Sequence, residues 1–245
     1  MNDSRYIDFI SAYCDRWCER CAFTERCSLF AVHVATAMCD GDDEEAMELA
    51  VGRAPSEEGE AEEEDLSAWI DEVNAHSSPT PAEAAAFDRA KAERDARLDS
   101  TSIMQTARAY TVLAARWLRS QSAALKEDAR RRSPDPAQLL EALEIVEWDC
   151  LLIPVKLRRA LHGLDEVARG EDLDDDFVRD DANGTAKLSL LCIDRSDTAW
   201  RVIAAWSDNE FAAIFAEQLA QLRIEIEQAF PNARCFIRPG LDESK

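Results

Sequence analysis

Apolar residues recur every three or four positions along most of this chain, in segments separated by short polar breaks. That period marks amphipathic helices. Ile7, Ile10, Tyr13 and Trp17 predict a first helix from Ser4 to about Trp17, capped by Asp3 or Ser4. Leu29, Phe30, His33, Val34, Ala37 and Met38 share a face and predict a second over about Glu25 to Met38, with Thr24 as its cap. The run Cys39-Asp-Gly-Asp-Asp-Glu-Glu lacks the ligand alternation of a calcium loop. It reads as a turn and cap leading into a helix over Glu45 to Val51. Leu66 to Ala75, with Trp69, Ile70 and Val73, predicts a short amphipathic helix.

The remaining helices are longer. Thr80-Pro-Ala-Glu83 combines a cap, a proline at the first helical position and a glutamate at the third. It starts a helix reaching about Arg132, with an interruption near Asp99 to Thr101. Ser133-Pro-Asp-Pro is the next break, and Pro136 opens a helix to about Gly163, kinked at Pro154. Leu139, Leu143, Val146, Cys150, Ile153, Leu157 and Leu161 line one face and Ile145, Trp148, Leu152 and Val155 the other, which predicts a centrally buried helix. Leu164 to Asn183 reads as an acidic loop, Gly184 to Trp206 as a helix, and Asn209 to Phe230 as the last helix, stopped by Pro231. An extended tail follows. The chain is therefore expected to be all-α: an N-terminal four-cysteine, metal-stapled helical segment followed by an antiparallel four-helix bundle. The expected organisation is a metal-binding segment over 1–51, an acidic linker over 52–65, and the bundle with its tail over 66–245.

Composition supports helix and narrows the partners. Only seven glycines occur in 245 residues. No apolar run approaches the ~20 residues of a membrane span. A net charge of −22 repels nucleic acid on average and suits a basic protein or a redox partner. Polar and charged residues directly after Met1 leave no signal peptide, so a cytoplasmic, reducing environment is expected.

The definite chemical signal is Cys14, Cys18, Cys21 and Cys27, four thiols within fourteen residues spaced C-x3-C-x2-C-x5-C. In a reducing compartment such clusters bind metal more often than they form disulfides. Thiolates suit Zn²⁺ or an iron–sulfur cluster. An unbroken helix would place Cys14 and Cys21 about 10.5 Å apart along its axis. That is too far for one zinc ion, so either the helix breaks near Cys18 to Cys21 or the bound object is as large as a cubane. His33 is a candidate further ligand, and reads more simply as a partly buried histidine of the second helix.

The C-x2-C-x5-C part of this motif resembles the end of the [4Fe–4S] loop of endonuclease III-type DNA glycosylases and part of the auxiliary-cluster motif of SPASM-type proteins. The leading C-x3-C-x2-C resembles the cluster motif of radical SAM enzymes. These resemblances cover only the cysteine segment and imply a cluster type, not an activity. The leading expectation is one [4Fe–4S] cluster on the four cysteines, with a redox or regulatory role. The alternative is a structural Zn²⁺ site on a bundle that serves as an interaction module.

A third reading is a bundle enzyme. Arg195 projects onto the apolar face of its helix between Cys192 and Ala199. A buried arginine needs a carboxylate, with Glu144, Glu147, Asp194 and Asp197 as candidates. The structural version is an ion pair that fixes helix register; the functional version is a polar pocket for an anion. No histidine has a glutamate three residues before it, so the di-iron carboxylate signature is absent. Cys150 and Cys192 read as core residues, and Cys39 and Cys235 are unassigned.

Overall fold

The structure, a computed structural model, describes residues 5–39, 42–52, 79–132, 136–170, 175–207 and 211–242. All regular structure among them is helical. The α-helices are α1 (Ser28–Met38), α2 (Asp43–Val51), α3 (Pro81–Asp99), α4 (Ser102–Arg132), α5 (Ala137–Arg169), α6 (Asp175–Ser207) and α7 (Phe211–Ala229). Four 3-10 turns accompany them, at Ile10–Ala12, Cys18–Arg20, Thr24–Arg26 and Ala233–Cys235. The helix expected over Leu66 to Ala75, most of the acidic linker and the Ser133-Pro-Asp break lie outside the described residues. No described helix is long and apolar enough to cross a membrane.

The start signals of α2 and α3 work as their chemistry requires. Asp42 caps α2, its Oδ1 accepting from the N–H groups of Glu44 and Glu45 at 3.1 Å each. The Thr80–Glu83 capping box is reciprocal: Thr80 N–H donates to Glu83 Oε2 at 2.8 Å, and Glu83 N–H to Thr80 Oγ1 at 3.3 Å. The interruption near Asp99 to Thr101 is present between α3 and α4.

Three expectations are corrected. No α-helix spans Ser4 to Trp17; its described part is turns and irregular chain. The second helix begins at Ser28 with Cys27 at its cap, and Thr24 opens a 3-10 turn instead. The stretch 164–183 is largely helical, because α5 continues to Arg169 and α6 begins at Asp175. Gly163 does not end α5; it brings α6 close, and a Cβ there would meet Ala182 Cβ at 3.0 Å. The stop is Gly170, whose φ of 62° is the left-handed conformation in which helices commonly end.

The chain divides into two compact units, Met1–Ser11 with Trp17–Ala96, and Ala12–Arg16 with Arg97–Lys245. In the first, α1 packs on α2 through Ala35, Ala46 and Ala50, with Ala31, Val32 and Cys39 beside them. The Tyr6 hydroxyl donates to the Ala50 carbonyl, and Ile7 N–H to the Arg26 carbonyl at 2.9 Å.

In the second unit α4 packs on α5, α5 on α6, α6 on α7 and α7 back on α4. The core is continuous through all four, and an aromatic cluster lies within it. The Trp200 ring stacks on Phe215 with centroids 4.0 Å apart. Trp117 meets Trp200 edge-on at 5.0 Å. Trp200 Nε1 donates to the Tyr110 hydroxyl at 3.1 Å, so the polar atoms of two fully buried aromatics satisfy each other. α5 runs through Pro154. Proline has no N–H, so the carbonyl four residues earlier, that of Cys150, loses its helical donor. Thr111 of α4 replaces it, its hydroxyl donating to the Cys150 carbonyl at 2.7 Å. A proline that would break a lone helix is thereby turned into a helix–helix contact. Replacing Thr111 with Val keeps the shape and orphans that carbonyl; we expect a loss of about 1–2 kcal/mol, read from urea unfolding, with Thr111→Ser retaining most of the stability.

Candidate metal-binding segment

The segment that carries the cysteines is held out of helix by hydrogen bonds to its carbonyls. In the second unit, Arg159 Nη1 donates to the Ala12 carbonyl at 3.4 Å, Arg238 Nη1 to that of Tyr13 at 3.4 Å, and Trp148 Nε1 to that of Asp15 at 2.9 Å. An α-helix would commit those carbonyls to N–H groups four residues on. Phe9 and Arg16 bracket the stretch with φ of 60° and 58°, left-handed values that bulky residues rarely adopt. The apolar spacing of Ile10 and Tyr13 therefore reports burial and not helix. Both side chains are buried.

Residues 12–16 act as a clip on the second unit. The Tyr13 ring lies against Phe236, centroids 5.0 Å apart. It occupies space that Gly184 leaves open, since a Cβ at 184 would come within 2.5 Å of the Tyr13 ring. Burial, and then the Asp181 carboxylate, push the Tyr13 hydroxyl up to about 12. Asp15 accepts from Arg195 Nη1 at 2.8 Å.

Arg195 carries the central ion network, with partners other than those expected. Its Nε donates to Asp149 Oδ2 at 2.9 Å and its Nη2 to Asp149 Oδ1. Ser196 Oγ donates to the same carboxylate at 3.2 Å. Asp149 is fully buried, and burial lifts its carboxyl above the ordinary value against the pull of Arg195. Glu144 and Glu147 are exposed. Asp194 is bound instead by Arg223 and Arg234, and Asp197 by Arg201. Arg195 sits at the edge of its helix's buried face, about a third exposed, and Ser196 holds the centre.

Sequence reasoning missed Asp149 and Lys156, which lie on a second stripe of α5 with the same 3–4 spacing: Leu139, Ala142, Val146, Asp149, Ile153 and Lys156, all buried. Burial depresses the Lys156 ammonium, against the opposing field of Cys14.

All eight cysteines carry thiols and not disulfides. Cys14 falls in the second unit and Cys18, Cys21 and Cys27 in the first; all four are half-buried. Cys18 opens a 3-10 turn that Cys21 closes, its N–H donating to the Cys18 carbonyl at 3.1 Å. Cys21 Sγ accepts from the Phe23 N–H at 3.4 Å. Cys27 is the N-cap residue of α1, beside the N–H groups of its first turn. Among the described residues, no group of three or more His, Cys, Asp or Glu side chains is gathered closely enough to hold a metal ion. Four thiols are the donor chemistry of a soft metal. His33 is exposed on α1 and not partly buried. Cys150 and Cys192 are core residues as expected, and burial raises both thiols, Cys150 to about 12.

Compared with protein-family models, with curated proteins and with solved structures, the chain matches none.

Two outcomes test the ion network and the tail. Asp149→Ala takes the buried carboxylate from Arg195 and is expected to remove about 2–4 kcal/mol. Asp149→Leu combined with Arg195→Met removes less than the single change; urea unfolding of the three proteins reads the difference. The tail offers a pH test. Despite burial, hydrogen bonds from Arg238 and Lys187 hold the Asp242 carboxyl well below the usual carboxylate range. Its contribution is complete above the unfolded value of about 3.9 and lost as pH falls through the folded one. Asp242→Asn therefore lowers the urea midpoint at neutral pH, and its deficit narrows below about pH 4.

Proposed function

We propose that Cys14, Cys18, Cys21 and Cys27 bind one thiolate-held metal centre, a [4Fe–4S] cluster with a redox or regulatory role. The observation that carries this reading is the density of half-buried thiols on chain outside the α-helices. Two local features support it. Cys21 Sγ already accepts a backbone N–H, the kind of bond that tunes thiolates in clusters. Cys27 has a helix N-terminus behind it. Cys18, Cys21 and Cys27 share a packing unit, and Cys14 stands four residues before the first of them in the chain.

A structural zinc site is the second reading, and one finding favours it. The argument for a cluster over a single ion required an unbroken helix from Cys14 to Cys21, and that helix is absent. The turn from Cys18 to Cys21 is the C-x2-C arrangement that tetrahedral zinc uses. In that case the cyclic packing of α4 to α7, which we read as an antiparallel four-helix bundle, serves as an interaction module. The enzyme reading has less support, because the Arg195 guanidinium engages carboxylates of its own chain.

Purification without oxygen, followed by a UV–visible spectrum and metal analysis, tests the proposal. A brown protein with about four irons per chain is expected, and Cys14→Ser or Cys18→Ser lowers the iron content. One zinc in a colourless protein transfers the site to the structural reading. Neither metal in the protein, with no uptake on reconstitution, overturns both.

A further inference from the structure

α1 and α2 pack the wrong way round for a self-sufficient helix pair. Their shared core is made of alanines, Ala35, Ala46 and Ala50. Their large apolar residues lie outside: Met38 is 69% exposed and Leu49 56%, with Val34, Met47 and Val51 exposed as well. Amphipathic helices ordinarily bury such residues and leave the polar ones in water. Contiguous exposed apolar surface of this kind marks an interaction site. Here it is also concave. A groove of about 310 Å³ opens between the two helices, with Phe30, Val34 and Met38 on one side and Leu49 on the other.

The charge around the groove selects the occupant. Neither α1 nor α2 contains a lysine or arginine. Arg5 and Glu25 both line the groove and offset each other, so the charge balance around it is set by α2. Asp43, Glu44 and Glu45 fill the first turn of α2, and Glu45 stands one turn before Leu49 on the same helix. A second copy of this chain would bring a second acidic rim, and with a net charge of −22 on each molecule that approach is repelled. A cationic amphipathic helix matches both features, its apolar stripe seated between α1 and α2 and its lysines or arginines over the carboxylates. Methionine suits such a groove because its flexible, polarizable side chain adapts to the incoming surface.

We propose that the α1–α2 groove is the docking site for a basic amphipathic helix of a partner protein. The proposal is independent of what the cysteines bind.

The test uses the full chain and a fluorescent Leu–Lys peptide of about 18 residues with helical apolar spacing. A Leu–Glu peptide of the same pattern is the control. Anisotropy in low salt reads binding. Met38→Glu and Leu49→Glu are the decisive variants, because they add negative charge. If the peptide is held by the general acidic field alone, they tighten binding. If it sits in the groove, they weaken it, by an expected tenfold or about that. Both positions are exposed, so the fold should tolerate the changes. Three results overturn the proposal. One is tighter or unchanged binding of the Leu–Lys peptide by the variants. Another is equal binding of the Leu–Glu peptide. The third is a groove already covered, shown by a wild-type dimer in sedimentation that Leu49→Glu disperses, or by a large fall in unfolding midpoint in Leu49→Glu.

Discussion

The second unit turns on one carboxylate. Asp149 is fully enclosed, and a buried charge without partners would be strongly destabilising. Arg195 and Ser196 answer it from the neighbouring helix, and Arg195 then reaches outward to Asp15. The register of α5 against α6 and the position of residues 12–16 are therefore fixed by the same guanidinium. An apolar contact would tolerate sliding by a fraction of a turn; a forked arginine on a fixed carboxylate does not.

The clip exists because several compromises meet at it. Gly184 weakens the middle of α6 in propensity and makes room for the Tyr13 ring. Phe9 and Arg16 adopt backbone conformations that bulky residues avoid. Three carbonyls surrender helical hydrogen bonds and are met by Arg159, Arg238 and Trp148. Each departure from local preference is matched by a tertiary contact. Departures of this kind gather at functional sites, and these lie beside the first of the clustered cysteines.

Local chemistry was legible where it is self-contained. The Thr80–Glu83 box, the break near Asp99 and the stripes of the long helices depend on residues within a turn or two of each other. The failures have a common cause. Ile7, Ile10, Tyr13 and Trp17 have helical spacing, yet the donors that claim the Ala12, Tyr13 and Asp15 carbonyls come from residues 148, 159 and 238. Asp149 was hidden for a different reason. The all-apolar stripe of α5 through Leu143, Cys150 and Leu157 masks its twin through Ala142, Asp149 and Lys156, although both have the same period. The candidate site was legible as a donor set, and the placement of its thiols was not, because backbone turns and not side-chain periodicity govern it.

The bond between Asp15 and Arg195 spans 180 residues. A chain is synthesised from its N-terminus, so the clip leaves the ribosome long before α5 and α6 exist to receive it. Its carbonyls, the Tyr13 ring and the Asp15 carboxylate must stay in water until residue 195 has been made, and the Arg238 contact waits for the tail. Neighbouring α1 and α2 are close in sequence and can meet early. Of these residues, then, some settle early and others wait for Arg195 to be made, and during that interval the Cys14 thiol stands in the solvent of the nascent chain, open to whatever metal or oxidant is present.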